Sequence, residues 1–173
     1  MRITLKPIGD VDTHILEELS KRLSHIFGCP IMIGLKMDIL DQAYNLEREQ
    51  YLASVLLTMV KASGIARDEK VMGIVDIDLY ASGLKFVFGE ADTVSGVAII
   101  SLCRLRQEYY EQPPDNNLFM DRAAKEAVHE LGHTFGLGHC SDIRCVMHFS
   151  NSLADTDWKR IAFCSQCRPK LIK

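Results

Sequence analysis

The sequence predicts an α/β (α+β) fold, in which a mixed five-stranded sheet carries three main helices and a small cysteine-rich segment follows. Three observations support this prediction. Strand-like and helix-like patterns of apolar residues follow one another in the order β-α-β-α-β-β-β. Only the short link 92–95 separates the last two strand-like segments, which is typical of an antiparallel hairpin. After Gly138 the regular periodicity ends and cysteines become frequent.

The first part of the chain contains two strand-helix pairs. Residues 2–8 alternate apolar and polar side chains as a strand does, and residues 12–27 follow a helical period that Gly28 interrupts. Residues 31–39 favour a second strand, and residues 45–63 favour a second helix. The core-facing stripes of the two predicted helices are Leu16, Leu19, Leu23 and Ile26, and then Leu52, Val55, Leu56, Met59 and Val60.

Three further strands and a third helix complete the predicted body. The strands cover residues 72–80, 85–91 and 96–105. After a polar loop with two prolines, the third helix runs from about Asp121, a possible N-cap, to Phe135. Its predicted core stripe is Ala124, Val128, Leu131 and Phe135.

The change of pattern after Gly138 predicts two units. We expect a sheet-plus-helix body over residues 1–138, which ends in the third helix, and a small C-terminal unit over residues 139–173. The whole chain has 173 residues, which is enough for a sizeable apolar core.

The composition excludes several classes of partner. The chain has 47% hydrophobic and 25% charged residues and a net charge of -3, so it lacks the basic excess of proteins that bind nucleic acid or anionic membranes. No stretch reaches the roughly 18 apolar residues of a membrane span, and the first residues lack the apolar core of a signal peptide. We therefore expect a cytoplasmic monomer without nucleic-acid or membrane partners.

Three histidines have the spacing of a zinc site. His129 and His133 are four residues apart on a predicted helix, so both imidazoles lie on one face. His139 can supply a third ligand if the chain turns back at Gly136. Three protein ligands leave one coordination position open, as in catalytic zinc sites. A helix that carries two surface histidines by chance is the alternative, but it does not explain the third.

Glu130 has the position of a catalytic base. It follows His129 directly and projects at an angle to both helical histidines, so it can reach a water molecule without binding the metal. Zinc lowers the pKa of its water to about 7 and polarises a carbonyl group. We therefore expect Glu130 to act as the general base of a hydrolase.

Four cysteines predict a second zinc site. In the reducing cytosol, disulfides are rare and clustered thiols favour a metal. Neighbouring side chains of an extended segment point in opposite directions, so His139 and the residue after it can face two different ions. A redox pair within "CSQC" or a set of disulfides are the alternatives, whereas Cys29 and Cys103 have apolar neighbours and favour burial. The expected ligands of a closed structural site are Cys140, Cys145, Cys164 and Cys167.

The combined pattern resembles a known family. His-Glu-x-x-His-x-x-Gly-x-x-His, residues 129–139, followed by Met147, resembles the metzincin metallopeptidases. Cys140 directly after the third histidine, the "CVM" that ends at Met147, "CSQC", and "FVFGEA" at residues 86–91 are similar to the archaemetzincins in particular.

The resemblance implies a fold, two zinc ions and roles for individual residues. It implies a metzincin-like twisted sheet, an active-site helix and a cleft, with His129, His133 and His139 on a catalytic zinc and the four cysteines on a structural zinc. It also implies that Met147 lies beneath the catalytic site. By analogy, residues 86–91 would receive an extended peptide.

One residue departs from the pattern of some metzincins and leaves the activity open. Phe149 stands where astacin-like members have a tyrosine, whose hydroxyl can stabilise the developing oxyanion. Losing one such donor costs about 10²–10³ in rate, unless zinc, a backbone N–H, Tyr109 or Tyr110 replaces it. The sequence therefore predicts a zinc-dependent peptidase for peptide or protein substrates. A zinc-containing peptide-binding or regulatory protein is the alternative, and a redox- or metal-responsive protein is a weaker one.

Overall fold

The computed structural model describes residues 1–172, and a mixed five-stranded sheet forms its centre. The strands are β1 (Arg2–Pro7), β2 (Ile31–Ile33), β5 (Glu69–Val75), β7 (Gly89–Asp92) and β8 (Val97–Ser101), in the spatial order β2-β1-β5-β8-β7. The first four strands of that order are parallel, and β7 is antiparallel to β8. The predicted fold class and the predicted hairpin are therefore confirmed, with β7 at one edge of the sheet.

Helices cover both faces of the sheet and divide the core in two. α1 (Thr13–Phe27) and α3 (Asn116–Thr134) pack on one face, and α2 (Ala53–Ala62) packs on the other. Alternate residues of the strands point to opposite faces, so the central strands β5 and β8 are buried on both. Met72, Ile74, Ala98 and Ile100 face α1 and α3, whereas Val71, Val75, Val97 and Ile99 face α2.

The predicted second helix is wrong over its first half. Residues 44–52 instead contribute β3 (Tyr44–Asn45) and β4 (Gln50–Leu52) to a small sheet, which β6 (Leu79–Tyr80) completes. The backbone N–H of Arg48 donates to Asn45 Oδ1, and its guanidinium donates to the carbonyls of Leu84 and Lys85 at 3.0 and 2.9 Å. The long-range bonds of the guanidinium override the helical period of the segment. The predicted third strand is also interrupted, because β5 ends at Val75 and β6 begins at Leu79.

The third helix begins earlier than predicted. α3 starts at Asn116, because Asp115 caps it by accepting a hydrogen bond from the N–H of Leu118 at 3.0 Å. Asp121 lies inside the helix and pairs with Lys125 at 2.7 Å. The last turns of α3, which carry the histidines, are buried as the stripe predicts.

The C-terminal segment has little regular structure and packs on α3. Within its described residues, 139–172, this segment has one α-helix, α4 (Leu153–Trp158), which starts with a capping box at Ser152. Val146, Met147 and Phe163 belong to the same apolar core as α3. The C-terminal segment thus shares its core with the body, and we propose the division at residue 138 only as a change in local structure. Lys173 lies outside the described residues. None of the helices over residues 1–172 combines the length and apolar character that crossing a bilayer would need.

Candidate metal centres and active-site cleft

The three predicted histidines meet at the end of α3. His129 and His133 lie one turn apart, with their Nε2 atoms 3.1 Å from each other. Gly136, at φ 84°, reverses the chain after the helix and brings His139 back to them. One ring nitrogen from each histidine lies within 4.8 Å of the other two, which fits the binding of one zinc ion.

Backbone carbonyls orient two of the imidazoles. His129 Nδ1 lies 2.7 Å from Val146 O, and His133 Nδ1 lies 2.8 Å from Leu137 O. Each Nδ1–H donates to its carbonyl, which leaves both Nε2 atoms as acceptors. Two lone pairs that face each other at 3.1 Å need a cation between them.

Burial keeps these imidazoles neutral. It lowers the pKa of His129 to about 4 and also lowers the pKa of His133 and His139. A neutral imidazole is the form that binds a metal. The histidine group is therefore ready to bind zinc at neutral pH without first losing protons.

The side chain of Glu130 projects from α3 toward the edge strand β7. Its side chain lines the cleft beside His129, and burial, with Glu126 as a second cause, raises the pKa of its carboxyl group. A Cβ atom at Gly89 would lie 2.6 Å from Glu130 Cγ and 2.7 Å from Ile99 O. Only glycine therefore lets β7 approach Glu130 this closely.

Met147, which the resemblance places beneath the catalytic site, packs against the last turns of α3. It is fully buried, and a Cβ atom at Gly132 would overlap with its Sδ. Its carbonyl accepts a hydrogen bond from the N–H of Cys140 at 2.9 Å. Met147 thus packs between the end of α3 and the stretch that carries His139.

The four predicted cysteines also come together. Their Sγ atoms lie within 4.8 Å of one another, and all six cysteines of the chain are free thiols. A hydrogen bond from the backbone N–H of Cys167 lowers the pKa of Cys164 to about 7, whereas burial raises the pKa of Cys145 and Cys167. Four thiols so arranged lose all their protons only when a cation compensates the charge, which fits zinc.

One extended stretch belongs to both groups. His139 joins the histidines, and Cys140, the next residue, joins the cysteines. The carbonyl of Cys140 faces His148 Nδ1 at 2.9 Å, so the backbone between the two groups is also held. As predicted, the side chains of His139 and Cys140 belong to two different ligand groups.

A cleft of about 270 Å³ opens beside His129 and Glu130. Residues 84–89 form one wall, which overlaps the predicted substrate strand 86–91. Phe88 O accepts from the N–H of Ser101, so the backbone groups of Gly89 and Ala91 point away from β8, toward the free edge. The remaining lining residues are Glu126, Phe149, Ser150 and Asn151.

Phe149 has no hydroxyl group, and neither Tyr109 nor Tyr110 provides one in the cleft as described over residues 1–172. The ring of Phe149 packs against His139 at 4.9 Å between centroids. Tyr110 donates to Arg104 O at 3.1 Å, the hydroxyl of Tyr109 lies 3.5 Å from Asp78, and neither lines the cleft. The two tyrosines considered from the sequence therefore lie outside the cleft.

Sequence reasoning missed Glu126, Ser150 and Lys159 around the cleft, and it included Gly89 in the predicted substrate strand without a role of its own. Lys159 lies 3.1 Å from Glu126, and both side chains are buried. An acidic residue one helical turn before Glu130 was the only available signal, because the contacts of all four depend on distant parts of the chain.

Comparison with known proteins agrees with this geometry. The profile of Peptidase family M54 matches residues 13–173. The chain belongs to peptidase family M54. Archaemetzincins are among its relatives: that of Pyrococcus furiosus is 46% identical, with 98% of this chain and 91% of that protein covered. That of Methanocaldococcus jannaschii is 44% identical, with 99% and 93% covered.

Solved structures of M54 relatives have the same fold. The archaemetzincin of Archaeoglobus fulgidus superposes with a TM-score of 0.85 at 37% identity, covering 98% of this chain and 99% of that one. A zinc-dependent peptidase of Methanocorpusculum labreanum gives a TM-score of 0.90 at 31% identity, with 98% and 99% covered. The resemblance to archaemetzincins is confirmed, and the chain is a zinc metallopeptidase that acts on peptides or proteins.

Proposed function

We propose that this M54 member hydrolyses peptide bonds at the histidine group, with Glu130 as general base, and that it binds a second, structural zinc at the four cysteines. The observation that carries the proposal is the position of Glu130, buried beside three neutral histidines in a cleft. The count of two zinc ions rests on the two separate ligand groups.

The histidines and Glu130 divide the work of hydrolysis. Zinc held by His129, His133 and His139 would supply the Lewis acid that activates a water molecule and polarises the scissile carbonyl. Glu130 takes a proton from the attacking water and passes it to the leaving amine, so that one water is consumed for each bond cut. The carbonyls of Val146 and Leu137 keep the histidine rings in the tautomer that binds metal.

The free edge of β7 provides the place for a substrate backbone. The outward N–H and C=O groups of Gly89 and Ala91 can pair with an extended peptide, as strand addition to a sheet edge does. This pairing would lay the peptide along the cleft and bring one of its bonds close to Glu130. Residues 86–91 are therefore the proposed substrate strand.

The cysteine group has a structural role in this proposal. Four thiolates complete the coordination of zinc and leave no position for a substrate. Cys140 would bind this ion, and it is the residue directly after His139. The closed site would therefore fix the position of the third catalytic ligand. Its metal would contribute directly to folding free energy.

Phe149 favours a second candidate function, the binding of peptides without cleavage. It lies against His139 without a hydroxyl group, and Tyr109 and Tyr110 contact other residues. A zinc-containing peptide binder that does not cut would share the cleft and the strand edge. Such a protein would bind peptides equally well with and without the carboxylate of Glu130.

Cleavage that depends on Glu130 tests the proposed peptidase. Zinc-loaded protein and its Glu130→Gln variant, matched in zinc content, are incubated with a diverse peptide pool, and new peptide termini are identified by mass spectrometry. We expect new termini only with the parent protein. Identical peptide patterns from the two proteins would favour the peptide binder instead.

The expected cytoplasmic monomer remains part of the proposal. The cytoplasmic location is supported by the six free thiols, which are typical of a reducing compartment, and the net charge of -3 supports the absence of nucleic-acid and anionic-membrane partners. Light scattering of zinc-loaded protein gives the mass in solution, and a mass near 19.5 kDa is expected.

A further inference from the structure

The floor of the cleft carries a second carboxylate. Glu126 lies one turn before Glu130 on α3, lines the cleft and is only 3% exposed. Its Oε1 accepts from Thr156 Oγ1 at 3.0 Å and from Lys159 Nζ at 3.1 Å. In the described part of the chain, no hydrogen bond ends on its Oε2, so one acceptor remains for a group that enters the cleft.

A hydroxyl group without a partner lies in the same cleft. Ser150 lines it, and its Oγ is buried without a hydrogen bond among residues 1–172. A buried polar group that lacks a partner is costly, so a side-chain rotation of Ser150 that lets its hydroxyl pair with a group in the cleft would be favourable. Ser150 and Glu126 together therefore provide unused hydrogen-bonding capacity next to Glu130.

The walls around these polar atoms are apolar. The cavity of about 270 Å³ exceeds the volume of about 150 Å³ that suffices for a benzene ring. It has room for one large side chain with an apolar stem. The apolar lining consists of Leu84, Phe86, Val87, Phe88 and Phe149.

The charge of the floor is already balanced. Lys159 is fully buried and lies 3.1 Å from Glu126, so the two charges compensate each other. Lys159 and a zinc ion bound by the histidines would both repel a lysine or arginine of the substrate, and Glu130, which also lines the cleft, is reserved for the attacking water in the proposed function. A neutral group that donates a hydrogen bond has no such cost.

We propose that the cleft selects peptides that carry a neutral side chain with an apolar stem and a terminal hydrogen-bond donor, such as glutamine or tyrosine, next to the scissile bond. Ser150 and Glu126 are then the residues that determine specificity. The inference rests on the proposed function, because a peptide on the free edge of β7 is what brings a side chain into the cleft.

Binding to a protein that cannot cut tests this selection. The zinc-loaded Glu130→Gln variant is titrated with peptides that differ at a single residue. This residue flanks, on one side or the other, the bond that the parent protein cuts. If the parent protein cuts none, the residues that flank the central bond of the peptide are varied. Glutamine is compared with methionine and tyrosine with phenylalanine, since each pair differs in the terminal donor. We expect the donor peptide to bind about tenfold more tightly at one of these positions.

Two serine variants make the test specific. Adding Ser150→Ala should reduce the preference within each pair to less than about threefold. Adding Ser54→Ala, the same change at an exposed serine of α2, should leave the preference unchanged. Equal affinities within each pair, an unchanged preference in Ser150→Ala, or tighter binding of a lysine peptide than of the glutamine peptide would overturn the inference.

The experiment separates this inference from the proposed peptidase. Donor preference in Glu130→Gln, with no cleavage by the parent protein, would support the selective cleft and refute the peptidase. Cleavage by the parent protein without donor preference would do the reverse. Absence of any peptide binding would overturn the inference.

Discussion

At the scale of single residues, Glu130 can occupy its place because Gly89 has no side chain. A methyl group at position 89 would meet both Glu130 Cγ and the backbone of β8 at Ile99. Gly89 is therefore a positioning residue in the proposed mechanism, although it contacts no reacting atom.

We expect Gly89→Ala to lower kcat by more than about tenfold while zinc content is retained, because a small displacement of a catalytic group is costly. Steady-state kinetics and metal analysis measure both quantities. Gly138→Ala is the control, since a Cβ atom there would have no neighbour within 4 Å. Equal kcat values for Gly89→Ala and the parent protein would contradict the positioning role.

The metal-ligand candidates were predictable because their pattern is local in the sequence. The floor of the cleft was not, because it depends on contacts between distant residues. His129 and His133 share a helix face by periodicity alone, and Cys140 follows His139 in an extended stretch. Glu126 instead owes its burial to Lys159, which is distant in sequence. A single sequence contains no signal for such a pair.

At the scale of secondary-structure elements, Arg48 holds the rim of the cleft from outside. It donates to the carbonyls of Leu84 and Lys85 and stacks over Tyr80 at 4.3 Å. The rim, residues 84–88, has no strand of its own to hold it. The same arginine explains why residues 44–52 fold into a small sheet although their apolar pattern favours a helix.

We expect Arg48→Ala to raise KM roughly three- to tenfold with a smaller change of kcat, because the rim loses two hydrogen bonds and part of the binding wall becomes mobile. Arg67→Ala is the matched control at an exposed position. Kinetics on a single peptide decide the matter, and an unchanged KM would show that the rim needs no support from Arg48.

Buried charges join α3 to α4 and the residue after it. Arg122 donates to both carboxylate oxygens of Asp157 at 2.6 and 2.7 Å, and Lys159 pairs with Glu126. Such pairs add little net stability over apolar packing, but loss of one partner leaves a buried charge without compensation. They nevertheless fix where the wall with Phe149 and Ser150 stands.

We expect Lys159→Met to lower the free energy of unfolding by about 3–5 kcal/mol, because the buried Glu126 would lose the partner of its ion pair. The double variant Lys159→Met with Glu126→Gln should recover a large part of this loss. Denaturant unfolding of the zinc-loaded proteins gives both values. Equal stability of the single and double variants would refute the charge explanation.

At the scale of the whole molecule, the structure combines a predictable body with an unpredictable order of strands. Short-range signals were sufficient for the β7–β8 hairpin and for the ends of α1, where Asp12 and Gly28 cap the helix. The parallel order β2-β1-β5-β8 depends on contacts between distant segments. No periodicity within a segment specifies its neighbour in a sheet.

Removal of one cysteine ligand tests the structural zinc. We expect Cys164→Ser to lower Tm by on the order of 10 °C and to remove one zinc ion per chain, since a closed site contributes to folding. His133→Ala should abolish cleavage with a smaller fall in Tm. Calorimetry together with metal analysis compares the two variants. A Tm for Cys164→Ser equal to that of the parent protein would refute the structural site.

In the proposed two-zinc enzyme, the adjacency of His139 and Cys140 would favour one order of assembly. In a newly made chain that has not filled its cysteine site, the stretch with His139 would rely on the turn at Gly136 and on the hydrogen bonds of Cys140 to Met147 and His148. Such a chain would be an incomplete enzyme, and it would be harmless to the proteins around it. If the proposed structural zinc is present, filling the inert metal site would favour completion of the reactive one, and a cell short of zinc would accumulate inactive precursor in place of uncontrolled proteolytic activity.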